Sequence, residues 1–153
     1  MAGSSRAKTY DTLWLLKAAA LVAASAAGSL IIDTKAGASS GSLGLGPEVM
    51  GELQIDVSAM EIATGDEYYT IILQGSPDAT FGTAGNIVEL CAISLGAKAG
   101  RLSDADKDSA VGRHRLLFTN ELNGTTYRYL RIYTVVAGTI ATGINYEARA
   151  HKL

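Results

Sequence analysis

From Tyr127 to Val136 the chain alternates between two kinds of side chain. Leu130, Ile132, Thr134 and Val136 form a mainly apolar row, while Tyr129, Arg131 and Tyr133 form an amphipathic one. Aromatic and β-branched residues fill the stretch, and neither Gly nor Pro interrupts it. A period of two predicts a strand with one face in the core and the other toward water or a partner. Asn123-Gly124 just upstream is a tight-turn dipeptide. After the break at Ala137-Gly138-Thr139, a second alternating run begins. Ile144, Tyr146, Ala148 and Ala150 interleave with Asn145, Glu147, Arg149 and His151. Joined as a hairpin, the two runs would set Val136 against Ile140, Ile132 against Ile144 and Leu130 against Tyr146. A slip of one residue would set Ile132 against Asn145. The same parity also suits two strands in opposite sheets that share one core.

Upstream the pattern is again β. Leu53, Ile55 and Val57 alternate with Gln54, Asp56 and Ser58, with Met60 to Ala63 as an extension and Thr64-Gly65-Asp66 as the stop. Glu67 to Gln74 is a further strand, closed by the turn residues Gly75-Ser76-Pro77-Asp78. Asn86 to Leu95 and Arg113 to Thr119 follow, separated by the polar stretch from Gly96 to Gly112. Strands at this spacing predict an all-β sandwich or barrel with almost no helix. Thr12 to Ala27 is ambiguous. Its Ala and Leu content favours helix, yet Leu30-Ile31-Ile32-Asp33 follows closely, so helix and strand both remain open. Met1 to Asp11 is small and polar and reads as an arm.

The chain of 153 residues suits a single domain. Charged residues make up 18%, below the roughly 25% of ordinary soluble domains. This fits a surface partly covered by other subunits, and equally an ordinary β domain. With a net charge of −2 and no run of Lys or Arg, nucleic-acid binding is not expected. Cys91 is the single cysteine and reads as a buried, inert thiol in an apolar run. Lys17 and the small apolar residues behind it look like the centre of a signal peptide, but Asp11 and the dominance of alanine count against that. The uncharged run from Ala18 to Ile32 is shorter than the roughly 20 residues a bilayer requires.

Sites of chemistry are not evident. Asp104-Ala105-Asp106-Lys107-Asp108 opens like a calcium loop. Ser109 then stands where that loop needs Gly, and Arg115 where it needs a bidentate Glu. His114 and His151 sit beside basic residues, without a Cys/His cluster. Gly-x-Ser-x-Gly does not occur. Gly41 to Gly46 lacks the ending of a phosphate-binding loop and reads as a connection. Asn123-Gly124-Thr125 is a formal glycosylation sequon that reads more simply as a turn. No catalytic, cofactor-binding or metal-ligating residue is expected.

The order of segments resembles a family of bacteriophage capsid cement, or decoration, proteins. The resemblance rests on Ala18 to Thr34, Gly51 to Val57, Tyr69 to Asp78, Arg128 to Ile132 and Gly143 to Leu153. It implies an all-β, jelly-roll-like antiparallel β-sandwich (17–153) in which the alanine-rich segment is extended, preceded by an N-terminal arm (1–16) longer than the family pattern. It also implies a non-enzymatic homotrimer on the outer surface of a phage head, made in the host cytoplasm and bound where major capsid protein subunits meet. No cofactor, nucleic acid or membrane is involved. Arg6, Lys8, Trp14 and Arg131 are the expected partner contacts. A discoidin-like carbohydrate-binding jelly roll and a phage tail or receptor-binding component are the alternatives, with an enzyme last. Against a sugar site, Trp14 lies near the N-terminus, and residues 34–48 and 96–112 hold no aromatic side chain.

Overall fold

A computed structural model describes residues 14–34, 49–100 and 107–153. The strands are β1 (Leu15–Val22), β2 (Ala26–Asp33), β3 (Met50–Met60), β4 (Tyr68–Ser76), β5 (Val88–Gly96), β6 (Gly112–Thr119), β7 (Glu121–Leu122), β8 (Thr125–Thr126), β9 (Tyr129–Ala137) and β10 (Ile144–Lys152). Single 3₁₀ turns lie at Ala84–Asn86 and Lys98–Gly100, and no α-helix occurs among the described residues. One four-stranded sheet has the order β1-β10-β3-β6 and the other β2-β9-β4-β5, β7 and β8 form a separate two-stranded ribbon, and all described neighbours are antiparallel. The chain is an all-β antiparallel sandwich.

The parity of the two C-terminal runs holds, but they do not form a hairpin. β9 pairs with β2 and β4, and β10 with β1 and β3. Leu130 and Ile132 therefore meet Ile144, Tyr146, Ala148 and Ala150 across the core, and all six have no exposed surface. Leu53 and Ile55 on β3 and Tyr69, Ile71 and Leu73 on β4 complete the centre, equally buried. A polar contact bridges the layers within the core, between the hydroxyls of Thr134 and Tyr146. It satisfies two groups that would otherwise lie unpaired in apolar surroundings, and burial pushes the Tyr146 phenol up to about 12.

The alanine-rich segment is extended, with β1 and β2 in opposite sheets. Tertiary burial overrides helix propensity here: Leu16 and Ile32 are 0% and 2% exposed in the core. β1 begins at Leu15, two residues inside the segment assigned to the arm, so Leu15 and Leu16 belong to the sandwich. The β1–β2 arch is pinned by Ser25, whose Oγ accepts from Val136 N at 2.9 Å. Asn123 and Gly124 join β7 to β8 with φ of 53° and 75°, the left-handed pair that a type I′ turn needs. β3 stops at Met60 because Glu61 turns away to hold another loop. β5 starts at Val88, after the 3₁₀ turn, rather than at Asn86.

Candidate partner-binding site

The outer faces of the two sheets differ in kind. On β10, β3 and β6 the outward rows are charged, and the charges satisfy one another. Arg113 Nε donates to Asp56 Oδ1 at 2.6 Å, Gln54 Nε2 to Asp56 Oδ2 at 2.8 Å, and Arg149 Nε to Glu147 Oε1 at 2.6 Å. Arg115 lies 3.7 Å from Glu52. The hydrogen bond from Arg113, ahead of other causes, holds the Asp56 carboxyl below its usual range. A face whose charges are already matched gains little by meeting a partner.

The outer face of the other sheet is built from Tyr129, Arg131 and Tyr133 on β9, Tyr68, Thr70, Ile72 and Gln74 on β4, and Ile31 on β2. Register places Ile31, Arg131, Gln74 and the exposed Glu89 in one row across four strands, with Gln74 between Arg131 and Glu89. Arg131 Nε donates to Gln74 Oε1 at 2.9 Å. Its guanidinium stacks 4.1 Å from the centre of the Phe81 ring and lies 6.0 Å from that of Tyr133. Among the described residues no carboxylate pairs with it, and burial lowers its pKa from the usual value. Arg128, by contrast, grips Asp33 with two bonds of 2.7 Å and rests on the Tyr129 ring. A half-buried arginine held flat by aromatic rings, its outer N–H groups unspent on any carboxylate, suits a carboxylate or carbonyl on a partner.

Sequence reasoning selected Arg131 but missed Phe81. The loop after β4 folds back over the sheet, and Phe81 is only 6% exposed. The loop is held by Asp78, whose carboxylate accepts from Thr80 N at 2.9 Å and Thr80 Oγ1 at 2.7 Å. Phe81 adopts φ 51°, a conformation costly for a bulky residue and tolerated because the ring is fixed on Arg131. The one sequence signal was a lone aromatic residue in a loop of small and polar ones. Trp14 stands at the head of β1, half-buried against the core, so much of its indole serves the sandwich itself. Arg6 and Lys8 lie outside the described residues, as do Asp104 and Asp106 of the failed calcium loop. Asp108 accepts from Lys98 N at 2.7 Å. Burial raises the Cys91 thiol to about 12, which keeps it protonated and unreactive.

Three carboxylates latch the loops at one end of the sandwich. Glu61 accepts from the backbone N–H groups of Ala141, Thr142 and Gly143 at 2.6–2.9 Å for its Oε2. Asp66 takes Thr139 N at 3.0 Å and its hydroxyl at 2.9 Å. Glu67, with no exposed surface, takes Thr64 N and Gly65 N at 2.7 and 2.8 Å. Backbone donors hold Glu61 and Asp66 below their usual range, Gly143 N–H and Thr139 N–H leading. For Glu67, burial pushes upward but the bonds from Thr64 and Gly65 outweigh it. A lowered folded pKa gives stability that is complete above the unfolded pKa and is lost as pH falls through the folded one. Melting temperature is therefore expected to be flat near neutrality and to fall below about pH 4. In a Glu61→Gln, Asp66→Asn variant the melting curve at neutral pH should drop, and its decline with acid should shrink. An unchanged acid slope would show that these contacts do not govern the response.

Fold and surface together define an all-β antiparallel sandwich with one charge-matched outer face and one aromatic outer face centred on Arg131. Among the described residues no cluster of three or more metal-ligating side chains occurs, and no helix is long and apolar enough to cross a membrane. The chain matches no protein-family model and no curated protein.

Proposed function

We propose that this chain is a structural virion protein, a cement protein that binds the outside of a tailed-phage head and strengthens contacts between major capsid protein subunits as a homotrimer. The observation that carries a binding role is the aromatic outer face around Arg131, a half-buried cation that pairs with no carboxylate among the described residues. The strand order supports the jelly-roll form of that family: all connections between successive long strands cross from one sheet to the other, except β4 to β5. The resemblance in segment order supplies the capsid as target. Cementing requires each molecule to bridge several shell subunits. Linking three weak contacts raises overall avidity by about 10²–10⁴ over a single one. Arg131 and the arm, with Arg6 and Lys8, are the contacts assigned to acidic capsid groups. Trp14 contributes whatever part of its ring the core leaves exposed.

Co-sedimentation with heads stripped of this protein tests the reading. Wild type should bind to a fixed stoichiometry and raise the temperature at which heads rupture. Arg131→Glu should remain folded and bind at least about tenfold more weakly, as expected when a partly desolvated ion pair is inverted. Deleting residues 1–11 should leave a folded oligomer that decorates heads poorly. Absence of wild-type binding to any head preparation, with a hit on a glycan array, would favour the carbohydrate-binding alternative, for which Tyr68, Tyr129 and Tyr133 offer a sheet of aromatic rings.

A further inference from the structure

The sandwich has two lateral edges, and they are finished differently. At one, β6 carries Arg113 and Arg115 and β5 carries Glu89, the charges that discourage edge-to-edge association. At the other, β1 and β2 each pair on one side only among the described residues, with no described strand along their outer sides. From Ala18 through Ile32 this edge has no charged residue. Large apolar side chains are exposed on it: Leu21 is 59% accessible, Ile31 44% and Leu30 37%.

Two grooves meet on this edge along the ridge of Leu21. The first runs between β1 and β2 and is lined by eleven residues, mostly alanine. The second has eight lining residues, among them Ala59, Met60 and Ile62 at the end of β3. Each groove contains one charged residue, and both charges are engaged within the chain. Lys17 Nζ donates to the carbonyls of Ala18, Ala20 and Tyr146 at 2.9–3.1 Å. Glu61 is held by the backbone of residues 141–143. What remains is an uncharged surface, close in residue number to the roughly 20–30 residues that each side of a standard interface contributes.

We infer that this edge is where copies of the chain join, the Leu21 ridge and β1 of one copy packing against the β1–β2 groove of the next. A second copy fits on chemical grounds. The partner must be apolar, small-featured and uncharged where it touches, and it must offer strand backbone of its own. The same edge of another copy, uncharged from Ala18 through Ile32, meets both conditions. The edge also presents two different surfaces on either side of Leu21, as a head-to-tail ring requires. The number three rests on the proposed function; the location rests on the edge itself.

Sedimentation equilibrium of the full chain tests it. Wild type should associate at micromolar concentration. Leu21→Asp, an exposed position where folding should be unaffected, should raise the dissociation constant by about 100-fold or more, since it places a charge in a desolvated contact. Ala24→Glu, at the exposed turn of the arch, should act in the same direction and serves if Leu21→Asp misfolds. Leu117→Asp on β6, 70% exposed at the opposite edge, should leave association unchanged. A monomeric wild type, or folded Leu21→Asp and Ala24→Glu variants that associate as wild type does, would overturn the inference. Head binding separates the two claims. An oligomer sensitive to Leu21 that ignores heads defeats the capsid reading and keeps the interface, and a monomer that decorates heads does the reverse.

Discussion

Gly143→Ala is expected to cost about 2–5 kcal/mol of unfolding free energy, the sum of a left-handed backbone penalty and a forced overpacking. Gly143 has φ +89°, and a Cβ there would sit 2.2 Å from the carbonyl oxygen of Val22 and 2.8 Å from Ala23 Cα. Neither obstacle is a flexible side-chain tip. Relief would require the end of β1 to move, or the loop to release the N–H that Gly143 gives to Glu61 at 2.9 Å. The substitution therefore strikes the latch and the open edge together. Gly124→Ala provides the comparison. Its φ is +75°, but a Cβ would meet nothing within 4 Å, so only the backbone penalty of about 1–2 kcal/mol applies. Chemical denaturation of both variants separates steric from conformational cost. Equal midpoints would mean that the loop and β1 do not approach as closely as described.

Ile132→Ala is expected to cost about 2–5 kcal/mol, the range for emptying a fully buried aliphatic site. Ile132 has no exposed surface and stands opposite Leu73 in the register between β9 and β4. The core around it comes from both sheets, so one wall cannot collapse into the void without disturbing pairing in the other. Its neighbour in sequence gives the contrast. Arg131 points to the outer face, and Arg131→Ala forfeits the stack on Phe81 and the bond to Gln74, a loss of about 1 kcal/mol or less at a half-exposed site. Its larger effect should be on partner binding. Thermal melts that fail to distinguish the two variants would reverse the assignment of faces on β9.

Much of this architecture is legible in the chain. The alternation in β9 and β10 identifies Leu130, Ile132, Ile144, Tyr146, Ala148 and Ala150 as core residues and Arg131 as outward-facing. That holds because side chains of an extended chain alternate whatever the strand pairs with. The same rule explains what alternation leaves open. A period of two fixes a residue's face but says nothing of its neighbour, so a β9–β10 hairpin and the observed pairing in opposite sheets fit one pattern equally. Choosing between them takes the whole set of ladders, in which β10 lies between β1 and β3.

Asn123-Gly124 dictated its own turn, because both residues tolerate positive φ. The alanine-rich segment did not dictate its own state, since its intrinsic preference is helical. Extension there was decided by the burial of Leu16 and Ile32 and by the anchoring of Ser25 to β9. The site divides in the same way. The sequence alone placed Arg131 on an amphipathic face. Only the fold brought Phe81 and Gln74 to it and left it without a carboxylate among the described residues, because side-chain stacking and desolvation depend on residues distant along the chain and adjacent only in space.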